Sequence, residues 1–429
     1  MINIWFWIYN IFIIPLMKSG SLVVSLWNNK VYTGLKGRKG LFKQLESELK
    51  QFTQNHPRFW IHNSSMGEFE QAKPIIKQLK KEFPDSFIIV TFFSPSGYEH
   101  SHNYKEADKL SYIPFDSYFG ARKFVKIVKP DLAIMIKYDL WPNHLWYLFK
   151  KKIPVLLVNA SVRPSVLKGK GLLRKFFISI YNRFDAILTI SSDAKDFLSE
   201  VLKKTERIII TGDTRYDQVL NIAESAEKVT KNLRKFIEGT KCLVAGSTWP
   251  SDEKHLIPAL KKVFSDDIDF CVILVPHEPT KEHIAKLQNQ LTENNLRYKR
   301  ISQLDGTSNA DFDVLIVDIV GILASLYALA DLTYVGGSFY QGIHSVLEPA
   351  AFGKPVIFGP KYTNSVEAVE LLKNGGGVKV TNSMEIYNTL KSFLTSDNTM
   401  EKFGQRAGVF VKENQGATSR IIEIIKKYL

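Results

Sequence analysis

Cysteine is nearly missing from this chain: 429 residues contain two, Cys242 and Cys271. Each lies in a short apolar run and neither belongs to a C-x-x-C pair. That excludes a disulfide scaffold and a cysteine zinc site, and it fits a reducing compartment. Acidic residues are absent from the first 45 positions, Glu46 being the first. No unit of 20–50 residues repeats and no low-complexity tract interrupts the chain, which excludes solenoid and propeller arrays. Hydrophobic residues make up 45% and charged residues 23%, a balance that excludes a disordered or fibrous chain. The length suggests two or three domains.

What charge there is sits unevenly. The formal net charge is +14. Residues 1–220 hold 33 Lys and Arg against 19 Asp and Glu, and residues 221–429 hold 24 of each. The excess belongs to the first half, which suits an anionic partner such as a membrane surface or a phosphorylated acceptor. The basic residues are not interleaved with aromatics in any recognised nucleic-acid module, so an adaptor that binds nucleic acid is disfavoured and no nucleic acid is expected as partner.

Residues 1–17 carry no charged side chain; Lys18 follows, then a second apolar run, SLVVSLW. Spanning a bilayer takes roughly 20 apolar residues, and Pro15 interrupts this run. A positive n-region and a clear small-residue cleavage site are both missing, against a secretory signal. Lys18, Lys30, Lys36, Arg38, Lys39 and Lys43 follow the apolar run and place the remaining chain on the cytoplasmic side. Residues 1–40 are read as a membrane anchor or interfacial segment with its lysines near anionic headgroups.

Beyond residue 40, short β-rich runs alternate with longer amphipathic segments. The expected strands are 59–62, 87–92, 132–136, 154–160, 186–190 and 207–211 in the first half. In the second they are 242–246, 270–275, 313–318, 332–336 and 354–359. Continuous apolar runs separated by helices indicate parallel strands covered on both faces. The polar helical stretch 217–240 reads as a linker between a domain at 41–216 and a domain at 241–429. The fold class is α/β: two doubly wound, Rossmann-like domains facing a cleft, with ligands beyond the carboxyl ends of the strands. The C-terminal helix is a candidate to pack back on the first domain.

Four loops carry the informative residues. After strand 59–62 come His62-Asn63-Ser64-Ser65-Met66-Gly67-Glu68, where Gly67 fits a tight strand-to-helix turn. Glu68 at the helix start fits two readings: a base kept charged by the helix dipole, or a cap that only stabilises the helix. Ser94-Pro95-Ser96-Gly97-Tyr98 opens another helix and suits an anion or an ordinary N-cap. Gly246-Ser247-Thr248-Trp249-Pro250-Ser251-Asp252-Glu253 suits a phosphate at a helix N-terminus, but it is neither a P-loop nor a dinucleotide fingerprint. The most specific block runs from Gly336-Gly337-Ser338 through Ile343-His344-Ser345 to Glu348-Pro349 and Pro360. Backbone amides near Gly337, Ser338 and Ser345 suit a phosphate, and Glu348 suits two ribose hydroxyls. A D-x-D motif occurs as Asp311-Phe312-Asp313. It leads into a strand, where a structural role fits better than a metal site.

In order over the full length, these motifs resemble the 3-deoxy-D-manno-octulosonic acid (Kdo) transferase family of lipopolysaccharide synthesis, glycosyltransferases of the GT-B fold. The resemblance begins at Tyr9-Asn10 and Gly37-Arg38-Lys39-Gly40. It continues through Ser65–Glu68, Ser94–Gly97, Ile113-Pro114-Phe115-Asp116, Leu140-Trp141-Pro142-Asn143 and Asn159-Ala160-Ser161-Val162-Arg163. In the second half it takes in Gly246-Ser247-Thr248, Val275-Pro276-His277-Glu278 and Gly336–Pro360. It implies an inverting enzyme that moves Kdo from CMP-Kdo onto the lipid A precursor at the cytoplasmic face of the inner membrane. By the same resemblance Glu68 is the general base. Gly246, Ser247, Thr248, His277, Gly336, Gly337, Ser338, His344, Ser345 and Glu348 form the donor site. Ser65, Met66, Gly67, Ser94, Ser96, Gly97, Asp139 and Arg163 are acceptor or cleft residues. Two positions depart from the common pattern: Ser345 stands where many members have Asn, and Asp139 where many have Glu. No cofactor or metal is expected. The rival reading is another GT-B transferase using a UDP-sugar and a lipid-linked acceptor.

Overall fold

A computed structural model of the chain describes residues 4–52, 56–161, 167–237, 239–304 and 312–429. Arg163 and Asp311 lie outside the described residues. The chain forms two compact units, Met1–Gln218 with Gly416–Leu429, and Val219–Gln415.

The first unit is built on β1 (Arg58–Asn63), β2 (Phe87–Phe92), β3 (Lys109–Tyr112), β4 (Leu132–Ile136), β5 (Val155–Ala160), β6 (Ala186–Thr189) and β7 (Ile208–Ile210). All pair in parallel in the order β3-β2-β1-β4-β5-β6-β7. Alternate residues feed two cores. Trp60, Ile89, Met135 and Leu157 enter one, and Ile61, Val90, Ile134 and Val158 enter the other. That is why these strands read as unbroken apolar runs: both faces are covered. The strand order reverses between β1 and β4, so the loops after those two strands flank the switch point where such sheets bind ligands.

The second unit repeats the plan with β8 (Lys241–Thr248), β9 (Phe270–Pro276), β10 (Tyr298–Arg300), β11 (Val314–Ile316), β12 (Leu332–Val335), β13 (Val356–Phe358) and β14 (Gly377–Lys379). Its parallel order is β10-β11-β9-β8-β12-β13-β14, reversing between β8 and β12. β3, β10 and β14 were not expected from the sequence. Each is a short edge strand with at least one residue short of full burial, so none carries an unbroken apolar run. The helix Thr214–Arg234 carries the chain from the first unit into the second.

The last helix, Ala417–Ile425, belongs to the first unit, where Ile421, Ile422, Ile424 and Ile425 enter the same core as β1 and β2. Asp217 holds its start, accepting from the backbone of Gly416 and Thr418 and from the Thr418 hydroxyl, each at 2.6 Å.

At the other terminus, Ile4–Val24 is helical throughout and long and apolar enough to cross a membrane. A π-helical turn, Tyr9–Ile13, precedes Pro15, whose ring nitrogen cannot donate the next rung of the ladder. One face of this helix docks on the first unit. Trp5 meets Phe176, and Phe6 meets Tyr118 and Trp146. Tyr9 donates to buried Asp116 at 2.9 Å, and the Asn10 and Asn143 side-chain amides exchange hydrogen bonds at 2.9 and 3.0 Å. The other face leaves Ile4, Trp7, Ile11, Phe12 and Leu16 exposed. Arg38, in the basic segment, has a structural role. Its guanidinium turns inward and donates to the carbonyls of Gly34, Phe93 and Ile113, where burial lowers it to about 10.

Candidate functional site

In the first unit, Ser65 caps the helix Met66–Glu82. Its backbone N–H donates to Glu68 Oε2 at 3.0 Å and its hydroxyl donates to the same oxygen. The two residues form a capping box, so Glu68 does act as a helix cap. The carboxylate is nearly buried at the carboxyl end of β1, in the first turn where the helix dipole favours negative charge. Gly67 departs from expectation. It is an exposed residue of the first helical turn, and a Cβ there meets only Ser65 Oγ, at 3.9 Å. The glycine that close packing demands is Gly97: its Cβ would lie 3.2 Å from the Ser65 carbonyl carbon and 3.3 Å from the Met66 nitrogen. The Ser94 N–H donates to the Ser64 carbonyl at 2.8 Å, and the Ser94 and Ser96 hydroxyls pair at 2.8 Å. Ser65, Met66, Gly67, Glu68, Ser94, Ser96 and Gly97 are therefore brought together.

Asp139, after β4, joins this group through His62, which the sequence placed in the first loop without a role. Buried His62 at the end of β1 contacts Thr91 Oγ1 at 2.8 Å through Nδ1 and Asp139 Oδ2 at 2.7 Å through Nε2. The Trp141 indole N–H donates to the same carboxylate at 2.9 Å. Burial alone would raise the Asp139 carboxyl; its bonds to His62, Ser64 and Trp141 outweigh that and hold it below its usual value.

The second unit gathers its candidates at the reversal between β8 and β12. Gly336 N donates to the Gly246 carbonyl at 2.9 Å, and His277 N to the Thr248 carbonyl at 2.9 Å. Gly336 cannot carry a side chain, since its Cβ would stand 2.3 Å from the Ser247 carbonyl oxygen. Gly337 takes a φ of +91°, and its Cβ would stand 2.8 Å from His344. One amide expected to hold a phosphate is engaged by the fold, and a side chain next to it is buried. The Gly337 amide donates to Asp252 Oδ2 at 2.9 Å, and the buried Ser338 hydroxyl accepts from Gly359 N at 2.6 Å. Ser345 is exposed, and Glu348 is partly buried in the short helix Leu347–Ala351. Burial, then the charge of Glu348, raises the Tyr327 phenol, whose oxygen fills the space beside Gly246.

Three residues of the Gly246–Glu253 loop, to which sequence reading assigned no individual role, support the site. Asp252 accepts from Trp249 N, Gly337 N and the Tyr334 hydroxyl, tying the β8 loop to the β12 loop. Glu253 accepts from Thr248 and pairs with His283 at 3.0 Å. Trp249 stacks on His277 and donates its indole N–H to His344. The available signal was a bulky indole and two adjacent carboxylates in a loop of small residues.

The bond to Glu253 raises His283 above its ordinary 6.5. Its stabilising contribution is complete below 6.5 and is lost as pH rises through the raised value. Replacing His283 by Gln is expected to lower the melting temperature most at pH 5–6, with the difference shrinking through pH 8. A difference independent of pH would assign His283 to packing alone.

Two parallel seven-stranded Rossmann-like units, with loops at each switch point, define the GT-B fold. The family model described as 3-deoxy-D-manno-octulosonic-acid transferase (kdotransferase) matches residues 34–218. The 3-deoxy-D-manno-octulosonic acid transferase of Rickettsia typhi is 28% identical over 375 residues, covering 86% of this chain and 79% of that protein. The Haemophilus influenzae protein of the same name is 26% identical over 375 residues, covering 86% and 87%. Over most of its length the chain is similar to Kdo transferases, and the similarity supports an enzyme that transfers Kdo in lipopolysaccharide synthesis. Its fold is also similar to that of UDP-GlcNAc 2-epimerase from Neisseria meningitidis, with a TM-score of 0.60 and 16% identity over 86% of this chain and 100% of that one.

Proposed function

We propose that this enzyme transfers Kdo from CMP-Kdo to the lipid A precursor lipid IVA, with inversion at the anomeric carbon. The acceptor hydroxyl attacks that carbon, the bond to the phosphate oxygen of CMP breaks, and Glu68 takes the hydroxyl proton. A sugar hydroxyl is a weak nucleophile, and a positioned base is typically worth about 10²–10⁴-fold. CMP leaves as a phosphate monoester whose charge N–H and hydroxyl donors can balance. The observation that carries the reading is the Glu68 carboxylate, fixed by Ser65 at the switch point of the first sheet. Transfer proceeds without a metal.

The excess of basic residues in the first half suits the phosphates of such an acceptor. The helix Ile4–Val24 lies in or across the inner membrane by its exposed apolar face, with the catalytic units on the cytoplasmic side. Competition binding tests the donor: CMP is expected to displace CMP-Kdo from the wild-type protein at concentrations where UDP does not. Turnover is expected to be unchanged in EDTA. Preferential displacement by UDP would favour the rival UDP-sugar reading, and loss of turnover in EDTA would overturn metal independence.

A further inference from the structure

Trp249, His277 and His344 form a compact aromatic group in the second unit. Trp249 and His344 lie side by side with 11° between their planes. His277 lies flat against both, with ring centroids 4.8 Å from Trp249 and 4.2 Å from His344. Trp249 Nε1 stands 2.9 Å from His344 Nε2. An indole N–H donates and cannot accept. The histidine nitrogen facing it must therefore present a lone pair, and a neutral ring in that state carries its proton on Nδ1. Gly337 closes on the same edge: its Cβ would lie 2.8 Å from Cδ2 and 3.1 Å from Nε2 of His344. With Cδ2 and Nε2 held inward, Nδ1 occupies the opposite edge of the ring and has no hydrogen-bond partner among the described residues.

We propose that Trp249 is a positioning residue that locks His344 as a neutral Nδ1–H donor for an acidic oxygen of the donor substrate. The inference rests on the donor assignment made above. The recognised group is a phosphate or carboxylate oxygen, which the nucleotide and the sugar of CMP-Kdo each supply. Burial, and then the neighbouring His277, lower His344 to about 4, so the ring stays neutral at physiological pH. A neutral donor of fixed tautomer holds an anion by geometry and releases the product more readily than a full positive charge would.

The test is ¹⁵N–¹H NMR of histidine-labelled full-length protein at pH 7, with His344 assigned by comparison with His344→Gln. The wild type is expected to show His344 in the neutral Nδ1–H form. Trp249→Phe keeps a ring for His277 to stack on and removes the indole donor. It is expected to give a mixture of tautomers and roughly tenfold weaker nucleotide binding. Weaker binding of CMP itself would place the contact on the phosphate, and a loss confined to CMP-Kdo would place it on the sugar carboxylate. An Nε2–H or protonated His344 in the wild type would overturn the proposal. So would a Trp249→Phe protein with unchanged affinity for both nucleotides. A wild type with the expected tautomer that binds neither nucleotide would overturn the donor assignment and the ligand claim, while the lock itself would stand on the spectrum.

Discussion

Glu68→Gln abolishes Kdo transfer, lowering turnover by about 10²–10⁴-fold, while CMP affinity stays at the wild-type value. The substitution separates the two roles of this side chain. A glutamine carbonyl can still accept from the Ser65 backbone and hydroxyl, as Gln serves in capping boxes. The helix Met66–Glu82 therefore keeps its start, and stability is expected to change by less than about 1 kcal/mol. What the amide cannot do is take a proton from the acceptor hydroxyl. Single-turnover kinetics with bound CMP-Kdo read the loss directly, and equilibrium unfolding checks the fold. Retained turnover would return Glu68 to the role of a helix cap.

Gly336→Ala eliminates measurable donor binding. A Cβ there would stand 2.3 Å from the carbonyl oxygen of Ser247 and 2.7 Å from the Ser247 carbonyl carbon and Thr248 Cα. All three are backbone atoms at the end of β8, so no rotamer change relieves the clash. Either the β8 loop moves or the Gly336–Gly246 hydrogen bond opens. Overpacking of this kind costs about 1–3 kcal/mol, and it displaces Ser247, Thr248 and Trp249 together. Isothermal calorimetry with CMP and a melting curve measure both effects. Wild-type affinity in this variant would place the nucleotide elsewhere.

The sheets were legible where the chain is covered on both faces. Ile61, Val90, Ile134 and Val158 each sit in a stretch of at least three consecutive apolar residues, and each stretch became a central strand. β3, β10 and β14 gave no strand signal because each is short and only partly apolar, as in Lys-Leu-Ser-Tyr and Tyr-Lys-Arg. The loops that carry the candidate residues were found from small residues at strand ends. Their polar partnerships were not. His62 meets Asp139 because β1 pairs with β4, although β2 and β3 intervene in sequence. Asp252 meets Gly337 because β8 neighbours β12. Such pairings depend on strand order, which spacing along the chain does not encode. Gly67 was misjudged for a related reason: its value to the turn looked local, whereas the position under steric demand is Gly97, on the neighbouring strand's loop.

The most direct measurement is transfer by the membrane-reconstituted full-length chain from CMP-Kdo to a tetra-acylated lipid A precursor, read by mass spectrometry of the lipid product. The account requires a mass gain of one or more Kdo units, accompanied by release of CMP. An unmodified precursor, from protein shown to be folded and able to bind CMP, would contradict it.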